Sequence, residues 1–274
     1  MYVPCNVARV RVRLAPELTF VLALLASLDN YERAKVADAL ESDFPNEKSE
    51  VWFKYNNPIE VKLACNLLCK MPAQALKLFF DINSPEFVQF VAACTSIPDL
   101  QADPYLHGAG LHLHPTGGKL DMHLDYSIHP VSGKERRVNL IIYLNKNWKP
   151  EYGGDIELWD DKFTHCVKKV NPTFNTAVLF QTSDLSYHGL PDPIRCPVNE
   201  GRKSVAVYYV SNPRPNIVHR PKARFFGRPS DPASDFLERL RLIRVERRIT
   251  ESDLVGWSEE QARLEALGFA APHL

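Results

Sequence analysis

The chain has no net charge with which to attract a polyanion: its 274 residues carry 33 Lys and Arg against 33 Asp and Glu. Nothing in that balance favours nucleic acid or an anionic membrane surface. Long apolar runs are also missing. The longest near the start, Leu18 to Leu28, falls short of the roughly 20 residues that a membrane-spanning helix needs. There is no internal repeat and no low-complexity tract. What remains is an ordinary globular composition, 45% hydrophobic and 24% charged, in a chain long enough for one large domain or a core with helical additions.

Cysteine is sparse and poorly placed for a metal cluster. Of the six, Cys65 and Cys69 fall four apart in a run read as helical, where they would share a face. No second cysteine or histidine pair follows at zinc-site spacing. The six therefore read as thiols in a reducing compartment. Arg9, Arg11 and Arg13 precede the first apolar run as in a secretory leader, yet no small-residue cleavage site follows. The expectation is a cytoplasmic chain with no membrane segment. Arginine is concentrated between Arg214 and Arg248. That stretch reads as a solvated helix face and a basic loop, the alternative being a patch for phosphate or another polyanion.

The first hundred residues are expected to be mainly helical: Leu18 to Leu28, Tyr31 to Leu40, Pro58 to Lys70 with Ile59, Leu63 and Leu67 at helical spacing, Gln74 to Phe80, and Pro85 to Ala93. Ser84-Pro85 supplies a capping side chain and a proline at the first helical position. From about Leu111 the period changes to two. Arg137–Asn145, Asp155–Trp159, Ala177–Gln181 and Ser204–Val210 read as strands, separated by proline- and glycine-marked turns. Short strands with frequent turns indicate a sandwich or barrel. After Asn212 a proline-rich connection leads to a helix from Asp231-Pro232 to about Ile249. A second helix starts at Ser258, with Ser258 and Gln261 as a capping box, and ends near Gly268. The expected division is a helical region over 1–100, a barrel core over 101–215 and a helical extension over 216–274.

The chemical signal is His123-Leu124-Asp125. Residues two apart on a strand point to the same face, so the pair offers an imidazole and a carboxylate to one point. His188, just beyond the strand Ala177–Gln181, supplies a second imidazole. Two histidines and a carboxylate form the facial triad of non-haem iron oxygenases, with one face of the octahedron open. Arg202 opens the strand that follows and shares a face with Ser204. An arginine pointing into a barrel is costly unless it meets an anion, and its fork suits a carboxylate.

The pieces GLHLHPTGGKLDMHLD, RRVNLIIYLNKNW, GGDIELW, SYHGLP and RKSVAVYY, in that order, resemble the Fe(II)/2-oxoglutarate dioxygenase superfamily in its prolyl-hydroxylase-like branch. The resemblance runs from about Asp103 to Asn212. It implies an α+β fold: a double-stranded β-helix, a jelly-roll or cupin-like barrel, with helices outside. It implies Fe(II) on His123, Asp125 and His188, and 2-oxoglutarate with its distal carboxylate on Arg202 and Tyr143, supported by Ser204. Relatives place a tyrosine upstream where this chain reads Leu111-His112-Leu113-His114, and His112 is the residue assigned to that contact. Asp125 is present where halogenases lack a carboxylate, so oxygen insertion is the expected outcome.

The implied reaction hydroxylates an unactivated C–H bond while 2-oxoglutarate is decarboxylated to succinate, with ascorbate a possible stimulant. The partners implied are 2-oxoglutarate, dioxygen and a peptide or small-molecule substrate. Tyr126, Trp148, Trp159 and Tyr187 are candidates for the substrate pocket, the two tryptophans reading first as barrel packing. His107, His114, His129, His165 and His219 read as surface or ordinary core residues. Two other functions stay open on the residues alone: a cupin-like metal enzyme that does not use 2-oxoglutarate, and a non-catalytic barrel that only binds.

Overall fold

The computed structural model describes residues 10–13 and 18–23 in their backbone and residues 38–274 in full. The strands are β1 (Val10–Arg13), β2 (Leu18–Ala23), β3 (Phe53–Asn57), β4 (Glu60–Cys65), β5 (Gln101–Ala102), β6 (Gly110–Pro115) and β7 (Lys119–Leu124). They continue with β8 (Glu135–Tyr143), β9 (Ile156–Trp159), β10 (Cys166–Val170), β11 (Thr176–Gln181), β12 (His188–Leu190), β13 (Gly201–Ser211) and β14 (Arg224–Phe226). Among the described residues, helices α1 (Ala73–Ile82), α2 (Pro85–Thr95), α3 (Asp235–Glu246) and α4 (Trp257–Ala266) flank them.

The pairing order is β1-β2-β11-β8-β13-β6-β4-β7-β12-β9-β10, with β3, β5 and β14 paired to β4, β13 and β7. These antiparallel ladders curl into a nearly closed barrel, the expected double-stranded β-helix with flanking helices. Strand β4 joins its two walls. Its Leu63 pairs with Leu113 of β6, and its Glu60 pairs with Leu120 of β7.

Period two decides what faces where. On β8, Val138, Leu140 and Ile142 enter the main core, together with Phe79 and Val91 of α1 and α2. Alternate residues Asn139 and Ile141 line the cavity inside the barrel. Strand β13 behaves likewise, with Val205, Val207 and Tyr209 in the core and Arg202, Ser204 and Ala206 on the cavity. The buried Tyr209 hydroxyl donates to the Ile82 carbonyl at 2.6 Å, fixing the end of α1 to the barrel. A second core, with Ile59, Phe225, Leu237, Leu240, Trp257 and Leu264, seats α3 and α4 against β14 and the start of β4.

The first hundred residues depart from the helical reading. Leu18 to Leu28 begins as strand β2, paired with β11 from Ala23↔Thr176 to Thr19↔Phe180. Pro58 to Lys70 is strand β4 followed by a short 3-10 turn at Leu68–Lys70. Cys65 is therefore buried on a strand and Cys69 exposed on that turn, with no shared helix face. The run EVKLAC satisfies both periods, and pairing to β3, β6 and β7 selects the strand. Of Tyr31 to Leu40, residues 31–37 lie outside the described residues, and 38–43 are helical.

The helices expected at Gln74 and Pro85 form as α1 and α2, and Ser84 caps α2 by accepting from the Phe87 N–H at 3.2 Å. In the C-terminal extension α3 starts later than Asp231, at Asp235, behind the capping side chain of Ser234. Helix α4 starts at Trp257 without a side-chain cap. The capping box belongs to Thr250 and Asp253 instead, one short turn earlier.

Candidate metal centre and cosubstrate pocket

Strands β7 and β12 pair so that His188 lies directly opposite His123. Side chains of directly opposed residues leave an antiparallel sheet on the same face, and the two imidazole rings stand with centroids 4.2 Å apart. Asp125 follows the last residue of β7 and turns its carboxylate to the same point, 3.9 Å from His123 Nε2 and 3.6 Å from His188 Nε2. One donor atom from each of the three lies within 4.8 Å of the others, and all three residues are buried.

The ring orientations are set locally. His123 Nδ1 is 2.9 Å from the Asp121 carbonyl and His188 Nδ1 is 2.8 Å from the Ser186 carbonyl. A carbonyl can only accept, so each Nδ1 carries the proton and each Nε2 presents a lone pair to the cluster. Burial and then the neighbouring His188 press the His123 imidazolium pKa down to about 3, so the ring is neutral at physiological pH. Burial alone would raise the Asp125 carboxyl. Arg136, followed by His188, His123 and Arg220, outweighs it and brings the group down to about 2. Two imidazoles with their Nε2 atoms turned to one point and an ionised carboxylate, converging and buried, fit a divalent ion of intermediate softness.

Arg136 is a site residue that the sequence reading missed. Its guanidinium lies 3.1 Å from the Asp125 carboxylate and 2.8 Å from the His107 carbonyl. It is clamped between Tyr126 and Tyr208, 3.3 Å and 3.2 Å from the ring centroids. Asn139 adds a 3.4 Å contact to the other carboxylate oxygen. The signal lay in the chain: Arg136 opens a strand whose interior positions are buried, as Arg202 does.

Of the other predicted residues, Arg202, Ser204 and His112 line the same cavity, which has a volume of about 420 Å³ and reaches from the triad to Arg202, whereas Tyr143 is packed behind it and meets Arg202 through its hydroxyl. Arg202 is 4% exposed, donates from Nε to the Gly154 carbonyl at 2.8 Å and from a terminal nitrogen to the Tyr143 hydroxyl at 3.1 Å. Among the described residues no carboxylate stands within ion-pair distance of it. Gly154 has φ +80°, and a Cβ there would lie 3.3 Å from the Arg202 side chain, so glycine keeps this approach open.

Ser204 sits on the cavity with its hydroxyl unpartnered. His112 lines the cavity opposite Ser204 in register. The next residue on that face, His114, pairs in register with Arg202, is 3% exposed, and has neither ring nitrogen hydrogen-bonded. Burial first, then Arg202, Lys62 and His112, drive its pKa well down, so it is a neutral imidazole with one donor and one acceptor to spare. It was read as an ordinary histidine, and its alternation with His112 was the signal that could have found it.

Of the aromatic candidates, Tyr126 lines the cavity. Trp148 packs among Leu190, Ile194 and Cys196, Trp159 donates to Glu157, and Tyr187 stacks on Phe163. Of the other histidines, His107 reaches the cavity, while His129 is buried 3.4 Å from Asp103 and His165 is exposed beside Asp160.

Residues 109–210 match the family model described as the 2OG-Fe(II) oxygenase superfamily. Comparison with curated proteins gives no match. Among solved structures, the chain is similar to a prolyl-4-hydroxylase of Pseudomonas putida at 16% identity and a TM-score of 0.48, over 66% of this chain and 88% of that one. It is similar at 16% identity and a TM-score of 0.48 to a Trichoplax adhaerens prolyl hydroxylase in complex with a peptide fragment of the hypoxia-inducible factor oxygen degradation domain, over 67% and 80%. A prolyl 4-hydroxylase of Phytophthora capsici aligns at 22% identity and a TM-score of 0.41, over 90% and 68%.

Proposed function

We propose that, in and around the stretch 109–210 that matches the 2OG-Fe(II) oxygenase model, His123, Asp125 and His188 hold the iron and that Arg202, with Tyr143 and Ser204, holds the distal carboxylate of 2-oxoglutarate. The observation that carries this reading is Arg202: a buried cation with no carboxylate partner, in the cavity that contains a convergent histidine–carboxylate–histidine cluster. A buried, unpaired guanidinium is costly, and a dianionic cosubstrate removes the cost. The unpartnered Ser204 hydroxyl and His114 ring supply further polar contacts for it. His112 shares that wall, but His114, in register with Arg202, is the better placed for the contact assigned to it.

When bound, Fe(II) with 2-oxoglutarate and dioxygen supplies the oxidising power to hydroxylate an unactivated C–H bond, with succinate and carbon dioxide as co-products. The chain's own residues do the rest. The carbonyls of Asp121 and Ser186 orient the histidines, Arg136 fixes the carboxylate, and the buried walls exclude bulk water. A cupin-like enzyme that ignores 2-oxoglutarate would have no use for an unpaired Arg202 held in the cavity wall by Tyr143, and a binding-only barrel would have no use for the triad.

The substrate is a peptide residue, prolyl among them, or a small metabolite. Residues 101–215 act as the catalytic barrel, which also takes in β2 and β4 from the first hundred residues and β14 from 216–274. No described helix is long and apolar enough to cross a membrane, and the buried Cys65 and Cys196 suit a reducing cytoplasm.

The test is succinate formation by iron-reconstituted protein given 2-oxoglutarate, ascorbate and air, read by mass spectrometry beside His123→Ala and Arg202→Ala. The expected outcome is substrate-independent succinate from the wild type and its loss in both variants. Equal succinate from all three would overturn the assignment of these residues.

A further inference from the structure

The arginine-rich tail is mostly spoken for by carboxylates. Arg214 pairs with Glu135, Arg220 with Asp184, Arg228 with Asp192 and Asp231, Arg241 with Asp121, and Arg247 with Asp253. The exceptions that line the cavity are Lys222 and Arg248. Among the described residues neither has a carboxylate within ion-pair distance. The Lys222 ammonium meets only the Glu246 carbonyl. The Arg248 guanidinium lies over Phe53, 3.7 Å from the ring centroid, and 5.0 Å from that of Tyr55. Stacking covers a guanidinium's faces and leaves its N–H edge to bind an anion.

Two more cations stand in the same wall. Lys62 and Arg244 share a single acid, Glu60, at 3.1 Å and 2.9 Å, and both lie near the Tyr55 ring, at 5.1 Å and 5.6 Å. Deeper in, Arg136 is matched by Asp125, and Arg202 has no acid. Among the described residues the cavity lining therefore holds six cationic side chains against two carboxylates, an excess of four positive charges. Fe(II) and dianionic 2-oxoglutarate cancel each other, so loading the site leaves that excess in place. Arg202 faces the cosubstrate, and the surplus that remains stands on Lys222, Arg248 and the pair around Glu60. These belong to β4 and the segment from Lys222 to Arg248, all outside residues 109–210.

We propose that this wall selects a small prime substrate bearing a carboxylate or phosphate, whose anionic group is held by Lys222, Arg248 and the Lys62–Arg244 pair while its reacting carbon faces the triad. The inference rests on the oxygenase reading for calling the cavity a substrate pocket. A cavity of this volume admits a compact acid beside the cosubstrate. The aromatic floor of Phe53 and Tyr55 suits a flat or apolar body behind the charge.

The test uses benzoate, benzamide and benzamidine, near-isosteres of charge −1, 0 and +1, with phenyl phosphate as the second anion. Each is titrated by ligand-observed NMR into full-length protein saturated with Mn(II) and 2-oxoglutarate, so that Arg202 is already occupied. The expected order is phenyl phosphate or benzoate over benzamide over benzamidine, with at least a tenfold span. In the Lys222→Glu/Arg248→Glu double variant the order should flatten or reverse, and in Arg248→Lys it should persist. The relative affinity of the two anions distinguishes a phosphate-bearing from a carboxylate-bearing substrate. Equal binding of the three isosteres, no binding of either anion, or an anion preference unchanged in the double variant overturns the proposal. None of these readings requires turnover, so failure of the oxygenase assignment, read by substrate-independent succinate, is seen separately.

Discussion

Arg136 and Asp125 form a buried ion pair at 3.1 Å, and it stands directly behind the proposed metal centre. The guanidinium cannot swing away, because Tyr126 and Tyr208 close on both of its faces. Its role is therefore to hold one carboxylate in one orientation and in its ionised form. Arg136→Lys keeps the charge and loses the planar fork that fits between two rings. The expected outcome is a fall of about 10–100-fold in affinity for Fe(II) or Co(II), the usual cost of losing a partner to a ligand. Metal titration followed by the Co(II) ligand-field spectrum checks it. Unchanged affinity would mean that Asp125 needs no partner.

Arg202 makes a different kind of contact. Its Nε and one terminal nitrogen are used by Gly154 and Tyr143, so the rest of the fork is free for an incoming carboxylate. Arg202→Ala should weaken 2-oxoglutarate binding by about 2–5 kcal/mol, the range for truncating one side of a buried charge pair. Metal affinity should stay within a few-fold of wild type. Isothermal titration of the Mn(II)-loaded protein separates the two. Loss of metal binding together with 2-oxoglutarate binding would point to a collapsed barrel instead.

The barrel and the triad were legible in the sequence for a physical reason: both rest on period two and on turn residues, which are local. The cavity-facing pair Arg202 and Ser204 was legible on the same ground. What escaped depended on distant pairing. Pro58 to Lys70 fits a helical spacing, and only the ladder to β6 and β7 makes it a strand. His114 looked ordinary because its importance comes from facing Arg202 across a strand pair formed by residues almost ninety positions apart. Arg136 carries no local signal for its clamp, because the two rings, Tyr126 and Tyr208, come from separate places in the chain. The contributions of β3 and α3 to the cavity mouth were likewise hidden, since no local pattern brings Phe53 under Arg248.

His114 also predicts how stability responds to pH. Its ring is buried and held neutral, with its pKa driven well below the ordinary value of 6.5. The unfolded chain binds a proton there near pH 6.5 and the native state does not, so stability rises with pH in the interval between. The contribution is fully present above pH 6.5 and is lost progressively as the pH falls toward the depressed native value. The limiting slope is about 1.4 kcal/mol per pH unit for one such group. Urea unfolding of metal-free protein at pH 7.5 and 5.5 should show the loss, and His114→Gln should reduce the slope. An identical slope in the variant would show that other groups carry it.

The C-terminal extension reaches strand β7 through Arg241. Arg241 of α3 donates to the Asp121 carboxylate from Nε at 3.0 Å and from a terminal nitrogen at 2.8 Å. Lys119, itself 1% exposed, meets the other oxygen at 2.8 Å. The backbone carbonyl of that same Asp121 fixes the His123 ring. Removing the guanidinium leaves a buried carboxylate with one cation where it had two, so Arg241→Met should destabilise the fold by about 3 kcal/mol, at the low end for breaking a buried pair. If the network also sets the position of β7, metal affinity should fall in the same variant even at temperatures where it remains folded. Asp121→Asn should cost more still, because it leaves two buried cations, Lys119 and Arg241, without the anion they share. Urea unfolding and Co(II) titration on the two variants separate the effects. A loss of stability with unchanged metal affinity would confine Arg241 to holding α3 on the barrel, whereas a joint loss would make the extension part of the metal centre's scaffold.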